Sequence, residues 1–158
     1  MTHDDFMRRA IELAETGMRG GHGGPFGAVI VKNGVVVGEG HNRVLSSNDP
    51  TAHAEVSAIR DASARMGAFD LSGCEIYVNG MPCPMCMAAV FWARIGRVYY
   101  ACGAEDAEAI KFDDAAFYRE LAKPPAERAV PAIQMSGHRD AAYKVYEDWL
   151  ALPARVHY

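Results

Sequence analysis

Two cysteines and one histidine occupy positions from which their side chains could bind one metal ion. Cys83 and Cys86 are three residues apart and follow Pro82, at the predicted start of a helix. On the first turn of a helix, residues i and i+3 face the same side. The unpaired N–H groups at a helix N-terminus also stabilise a thiolate, which is the form of cysteine that binds zinc. His53, at the predicted start of another helix, supplies a third ligand if the two helix ends converge.

This ligand set predicts hydrolytic chemistry. Three protein ligands leave a fourth tetrahedral position for water, as in catalytic zinc sites. Zinc lowers the pKa of that water to about 7. Glu55 follows His53 by two residues, close enough to take the proton and return it to a leaving group. The expected reaction is therefore a hydrolysis.

Two other interpretations of the cysteines stay open. A Cys-x-x-Cys pair can be a redox pair, and a closed structural zinc site would need a fourth ligand. Cys74, Cys102 and His41 are available for that position, although none has the spacing of a paired ligand. The two cysteines among them also fit small buried residues. The joint pattern H-x-E and P-C-x-x-C, by contrast, is the signature of zinc deaminases that act on nucleobases.

The composition favours a small-molecule partner over nucleic acid. A length of 158 residues suits one domain, and 50% hydrophobic with 23% charged residues is typical of soluble globular proteins. The net charge is −4, and no run of Lys and Arg is longer than Arg8-Arg9, so the basic surface of a nucleic-acid binder is missing. Neither a signal peptide nor a membrane span is predicted, so we expect a cytoplasmic protein with no membrane partner.

Hydrophobic periodicity predicts helices that alternate with strands. The predicted helices cover residues 4–19, 52–67, 84–93, 106–121 (in one or two pieces) and 139–150. The predicted strands cover residues 28–31, 35–37, 75–78, 97–101 and 132–135. Asn33-Gly34 predicts a two-residue hairpin turn between the first two strands. This order predicts an α/β fold whose sheet is covered by helices on both faces.

Several sequence runs resemble bacterial guanine deaminases of the cytidine-deaminase-like superfamily. The matching runs are Gly23–Val31, Ser47–Val56, Pro82–Cys86, Phe91–Arg94 and Phe112–Asp114, and the similarity extends to Tyr158. The resemblance implies a three-layer α/β/α fold with a mixed sheet of about five strands. It implies hydrolysis of guanine to xanthine and ammonia, with one Zn²⁺ per subunit. It also implies a single domain over residues 1–158 and a homodimer that exchanges a C-terminal segment of about residues 138–158.

The resemblance also implies roles for individual residues. His53, Cys83 and Cys86 would hold the zinc, and Glu55 would shuttle protons. Six further residues are expected to contact the purine base: Phe26, Asn42, Ala54, Trp92, Asp114 and Tyr158. Among them, the side chains of Asn42 and Asp114 would hydrogen-bond the base, and the backbone N–H of Ala54 would contact it near the zinc. The rings of Phe26 and Trp92 would pack against it, and Tyr158 would enter the partner's pocket.

Taken as residues alone, these positions allow simpler roles. Phe26 could anchor the core and Trp92 could pack its helix against a neighbour. Asn42 could cap a strand end, Asp114 could cap the next helix, and Tyr158 could be a frayed terminus. The expected purine contacts therefore depend on the resemblance.

One position departs from that family, which usually has a glutamate before Pro-Cys, preceded by a small polar pair. Here the sequence is Asn79-Gly80-Met81, and a methionine offers no carboxylate. Local hydrogen bonding near the zinc helix must therefore differ, while the zinc ligands and Glu55 are intact, so catalysis is expected to survive. Guanosine, cytosine or an aminated triazine are alternative substrates. A tRNA adenosine deaminase and a non-catalytic zinc protein are further alternatives.

Overall fold

The computed structural model describes residues 1–158, which form a four-stranded mixed sheet and seven α-helices. In chain order the elements are α1 (His3–Arg19), β1 (Gly27–Lys32), β2 (Val35–His41), α2 (Val44–Ser47), α3 (Ala54–Met66), β3 (Cys74–Gly80), α4 (Pro84–Trp92), β4 (Arg97–Cys102), α5 (Ala104–Ala109), α6 (Asp114–Ala122) and α7 (Arg139–Ala151). Two short 3₁₀ helices, Pro125–Glu127 and Ser136–His138, precede α7. The helix predicted over residues 106–121 is thus two helices.

The strands are arranged in the order β2-β1-β3-β4. β1 is antiparallel to both β2 and β3, and β3 is parallel to β4 across the α4 crossover. The β1–β2 hairpin turns on Asn33 and Gly34, whose φ angles are 51° and 78°. Two successive positive φ angles are typical of a type I′ turn, for which Asn-Gly is the preferred pair. The predicted hairpin is therefore confirmed.

Successive residues of a strand point to opposite faces of the sheet, and this alternation makes the two halves of the core. Ala28 and Ile30 of β1 belong to the cluster formed with α3 and α4. Val29 and Val31 belong to the cluster on the other face, where Phe6 and Ala10 of α1 pack. The predicted α/β/α fold with helices on both faces is confirmed.

The expectation of about five strands is wrong, because residues 132–135 form no strand. The chain from 129 to 135 has no helix or strand assignment and pairs with no neighbouring strand. Pro131 removes one backbone donor, and Ile133 and Met135 remain 81% and 70% exposed, so neither ladder bonds nor burial favour a strand there. A short stretch with apolar residues therefore does not decide the conformation alone.

The chain forms two compact units, residues 1–118 and residues 119–158. The first unit contains the whole sheet. The second contains α7, which has no buried residue. No helix of the chain is both long enough and apolar enough to cross a lipid bilayer.

Candidate active site

Two helix N-termini carry the metal-binding side chains. His53 is the N-cap of α3, and Cys83 is the N-cap of α4. Pro84 occupies the first turn of α4, where its missing N–H costs no hydrogen bond. Cys86, three residues after Cys83, lies on the same turn and is fully buried. The local sequence therefore places one ligand at the start of α3 and two on the first turn of α4.

The three ligand atoms have the separations that a tetrahedral zinc site requires. His53 Nδ1 lies 3.6 Å from Cys83 Sγ and 3.5 Å from Cys86 Sγ. With Zn–S near 2.3 Å and Zn–N near 2.05 Å, ideal tetrahedral angles give an N···S separation of about 3.6 Å. All three ligand atoms lie within 4.8 Å of one another. The residues present therefore fit zinc.

The electrostatics of the two sulfurs also favour a bound cation. A hydrogen bond from Cys86, followed by one from His53, lowers the pKa of Cys83 to about 4. The negative sulfur of Cys83 and burial together raise the pKa of Cys86, so one thiolate opposes formation of the second. The hydrogen bond with Cys83 raises the pKa of His53. A divalent cation removes this conflict, because it holds coordinating thiols deprotonated.

No fourth protein ligand joins this cluster. Cys74 is buried in the core with α3 and α4, and Cys102 is exposed on β4. His41 pairs with His22 instead, at 2.8 Å between their ring nitrogens. The cluster of metal-binding groups contains His53, Cys83 and Cys86 alone. Three ligands match an open catalytic site better than a closed structural one.

Glu55 lies in the first turn of the helix that His53 caps. It is the second residue of α3, is 7% exposed and lines the same pocket as His53 and Cys83. Burial, and then the negative charge of Cys83, raises the pKa of its carboxyl group. A buried carboxyl group beside a metal cluster is the expected position of a general acid and base.

A small pocket, with about 30 Å³ of enclosed space, lies over the cluster. Its lining is Phe26, Asn42, His53, Glu55, Met81, Cys83, Phe112 and Asp114. The rings of Phe26 and Phe112 meet edge to face, with centroids 5.1 Å apart. The pocket therefore combines aromatic walls with one amide and two carboxyl groups.

The polar residues of the wall are held by their own neighbours. Asn42 is 4% exposed, and its Oδ1 accepts a hydrogen bond from Val44 N–H at 3.1 Å, which orients the carboxamide. Asp114 is the first residue of α6, and burial followed by the charge of Cys83 raises its pKa. Tyr118, one turn later, donates from its hydroxyl to the carbonyl oxygen of Pro82 at 2.9 Å. This bond ties α6 to the loop that precedes Cys83.

The other three residues expected to contact the base, Ala54, Trp92 and Tyr158, do not line this pocket. Ala54 is buried at the first position of α3, where the backbone N–H has no partner within the helix. Trp92 ends α4, is 66% exposed and does not line the pocket, and Tyr158 is 71% exposed at the chain terminus. Met81 and Phe112 do line it, although neither was predicted to bind the base. Met81 is the position that departs from the family pattern, and Phe112 belongs to one of the matching runs.

The His22–His41 pair predicts a pH dependence of folding stability. Burial, followed by the charges of His22 and Arg43, lowers the pKa of His41. Below about pH 6.5 the unfolded chain therefore protonates His41 more readily than the folded chain. His41 should therefore lower the free energy of unfolding as the pH drops from 7 towards 5, and His41→Gln should remove this part of the pH dependence.

Urea unfolding at pH 7.5, 6.0 and 5.0 measures this effect. His138→Gln, at an exposed position, is the matched control and should keep the parental pH dependence. If the free energy of unfolding changed equally with pH in His41→Gln and in the parent protein, the assigned role of His41 would be contradicted.

The chain matches the family model of the cytidine and deoxycytidylate deaminase zinc-binding region over residues 1–102. It is 50% identical to a guanine deaminase of Bacillus subtilis over 86% of this chain and 87% of that protein. The X-ray structure of a guanine deaminase from that organism superimposes with a TM-score of 0.92 and 43% identity, covering 100% of this chain and 99% of that one.

More distant relatives also match the chain. A tRNA-specific adenosine deaminase of Aquifex aeolicus is 40% identical over 64% of this chain and 66% of that protein. A guanine deaminase structure from Nitrosomonas europaea has a TM-score of 0.68 and 28% identity, over 96% of this chain and 86% of that one. The ligand geometry and the family match agree, and the chain belongs to the cytidine and deoxycytidylate deaminase family of zinc-dependent enzymes.

Proposed function

We propose that this zinc-dependent deaminase converts guanine and water to xanthine and ammonia. The observation that carries the proposal is a small pocket lined both by Glu55 with two residues of the metal cluster, His53 and Cys83, and by aromatic rings. Such a pocket suits a flat base that carries an exocyclic amine. The high identity to a Bacillus subtilis guanine deaminase over most of both chains supports the same substrate.

Each residue of the pocket has a proposed task. His53, Cys83 and Cys86 would hold the zinc, whose bound form supplies the Lewis acidity that makes water a nucleophile near neutral pH. Glu55 accepts a proton from the attacking water and delivers protons to the ring nitrogen and to the departing amine. The products then balance as xanthine and ammonia.

The remaining pocket residues orient the base. The amide of Asn42 and the carboxyl group of Asp114 provide hydrogen bonds to polar ring edges, while Phe26 and Phe112 pack against the apolar faces. The N–H of Ala54, at the N-terminus of α3, adds a donor near the metal.

A substrate panel tests this proposal. Zinc-loaded protein is incubated with guanine, guanosine, cytosine, an aminated triazine and an adenosine-bearing tRNA anticodon stem-loop, and ammonia release is measured for each. Guanine should be the best substrate, with xanthine appearing in equal amount. No turnover of guanine at micromolar enzyme would refute the proposal, and a strong preference for another compound would replace guanine by that compound.

We further propose that the chain acts as a homodimer that exchanges a C-terminal segment of about residues 138–158, within one functional domain of residues 1–158. α7 buries none of its residues, although Val145, Tyr146 and Leu150 are apolar and more than half exposed. An amphipathic helix without a buried face normally needs a partner surface. In this arrangement Tyr158 contacts the base in the partner's pocket, beside Trp92.

Removal of residues 156–158 should lower turnover at least tenfold while leaving zinc bound, because the truncated tail no longer completes the partner's pocket. Tyr158→Phe, which keeps the ring, is the control and should lose less turnover than the truncated chain.

Co-expression of the truncated chain with a Glu55→Gln chain gives a sharper test. In the mixed dimer, the truncated subunit keeps Glu55 and receives an intact tail, so about a quarter of parental activity should return. No recovery would contradict tail exchange.

We also propose a cytoplasmic location. All four cysteines are free thiols, and the two in the metal cluster must stay reduced to bind zinc. A reducing compartment keeps thiols in that state.

A further inference from the structure

We propose that Asn79 is a positioning residue that holds the aromatic wall of the pocket, Phe26, in place. This inference rests on the proposed function, because it assigns Asn79 a part in binding the base. Asn79 neither lines the pocket nor belongs to the metal cluster. Its influence on the reaction would pass through Phe26 and Asn42.

The Asn79 side chain makes two hydrogen bonds to one short backbone segment. Its Oδ1 accepts from the N–H of Gly27 at 2.9 Å, and its Nδ2 donates to the carbonyl oxygen of Pro25 at 2.8 Å. The orientation of the carboxamide is forced by these partners, since one is an N–H group and the other a carbonyl. The two bonds bracket Phe26, which lies between Pro25 and Gly27.

These bonds continue the sheet beyond the end of its backbone ladder. The antiparallel pairing of β1 with β3 ends at Ala28 and Val78. Asn79 is the next residue of β3, and its side chain supplies the donor and acceptor that a further strand residue would have provided. The bonds connect residues 52 and 54 positions apart in the sequence, so they fix the end of the pocket loop (residues 20–26, between α1 and β1) to β3.

Phe26 is the point at which the pocket loop and β2 meet. Its carbonyl oxygen accepts from the N–H of Asn42 at 2.9 Å, and its own N–H donates to Gly24 at 2.9 Å. A shift of the Phe26 backbone would therefore move Asn42, the buried amide of the pocket. Loss of Asn79 should disturb two pocket walls through this single backbone position.

The Phe26 ring has little room to adapt. A Cβ added at Gly24 would lie 3.2 Å from one edge of the ring, and a Cβ at Gly80 would lie 3.4 Å from the opposite edge. Phe112 meets it edge to face at 5.1 Å. The ring thus fits a slot between two glycines, and its position depends on the backbone that Asn79 holds.

The proposal predicts a selective loss of substrate binding in Asn79→Ala. The KM for guanine should rise about tenfold, since two hydrogen bonds to the loop are lost, while kcat changes less than about threefold. Zinc content should stay at one per chain. Asn79→Asp keeps the size and the acceptor but sets a carboxylate oxygen against the carbonyl of Pro25, so it should raise KM as well. Asn79→Asp therefore tests the proposal even if Asn79→Ala folds poorly.

Two comparisons separate positioning from general destabilisation. Glu75→Gln lies at the other end of the same strand, where its carboxylate accepts from the Tyr77 hydroxyl, and should leave KM unchanged. In a double-mutant cycle, Asn79→Ala should raise KM less in the Phe26→Ala background than in the parent, because only the route through the backbone to Asn42 remains. An unchanged KM in Asn79→Ala, or an equal rise in both backgrounds, overturns the proposal.

Amide hydrogen exchange gives a measurement that does not depend on turnover. In zinc-loaded Asn79→Ala, the N–H of Gly27 should exchange at least tenfold faster, while that of Ile30 in the middle of β1 should not change. Unchanged exchange of Gly27 overturns the proposal. The parent protein's turnover of guanine, by contrast, tests the proposed function, so failure of either idea is recognised separately.

Discussion

Glu55→Gln should reduce turnover of guanine by at least about a thousandfold while the protein still binds one zinc ion per chain. Glutamine matches glutamate in size, so the buried position in α3 stays filled. Its amide, however, cannot accept a proton from water and return it to the leaving amine. The ligands His53, Cys83 and Cys86 are unchanged, and zinc binding should therefore persist.

Steady-state xanthine formation and metal analysis of the purified protein measure the two halves of this prediction. Glu108→Gln is the matched control, because it makes the same chemical change at an exposed position of α5 and should keep parental kcat. Parental turnover in Glu55→Gln would show that another group carries the proton. Loss of zinc in this variant would instead assign Glu55 a role in holding the metal cluster together.

The sequence was sufficient for the metal cluster because local rules fix its parts. The i, i+3 spacing puts Cys83 and Cys86 on one helical turn, and helix N-termini favour thiolates. The convergence of α3 and α4 was an assumption, and the 3.5–3.6 Å separations around His53 now support it. The hairpin at Asn33-Gly34 is equally local, since the turn type favours this pair of residues.

The parts that sequence reasoning missed depend on distant segments of the chain. Asn79 bonds to residues more than fifty positions earlier, so no window of sequence reveals its partners. His41 was a possible fourth ligand until its pairing with His22 was known. The strand expected at residues 132–135 failed for a similar reason, because a strand exists only where another strand pairs with it.

Loss of a cysteine ligand should have the second large effect. In Cys83→Ser and Cys86→Ser, zinc content should fall below about one tenth per chain, and turnover should drop more than a hundredfold. Mutation of a residue that only hydrogen-bonds a metal ligand already lowers metal affinity or activity by about ten- to a hundredfold. Zinc also stabilises the fold, because it binds the folded chain and cancels the repulsion between two buried sulfurs. Both variants should therefore unfold at a lower temperature than the parent.

Thermal unfolding with and without a chelator identifies the metal as the cause. The chelator should lower the unfolding temperature of the parent protein towards that of the Cys86→Ser variant and should leave the variant unchanged. Cys102→Ser is the control, because it removes an exposed sulfur outside the cluster and should keep both zinc and activity. If the chelator destabilised Cys86→Ser as much as the parent, zinc would be bound without that sulfur, and the ligand set would need another member.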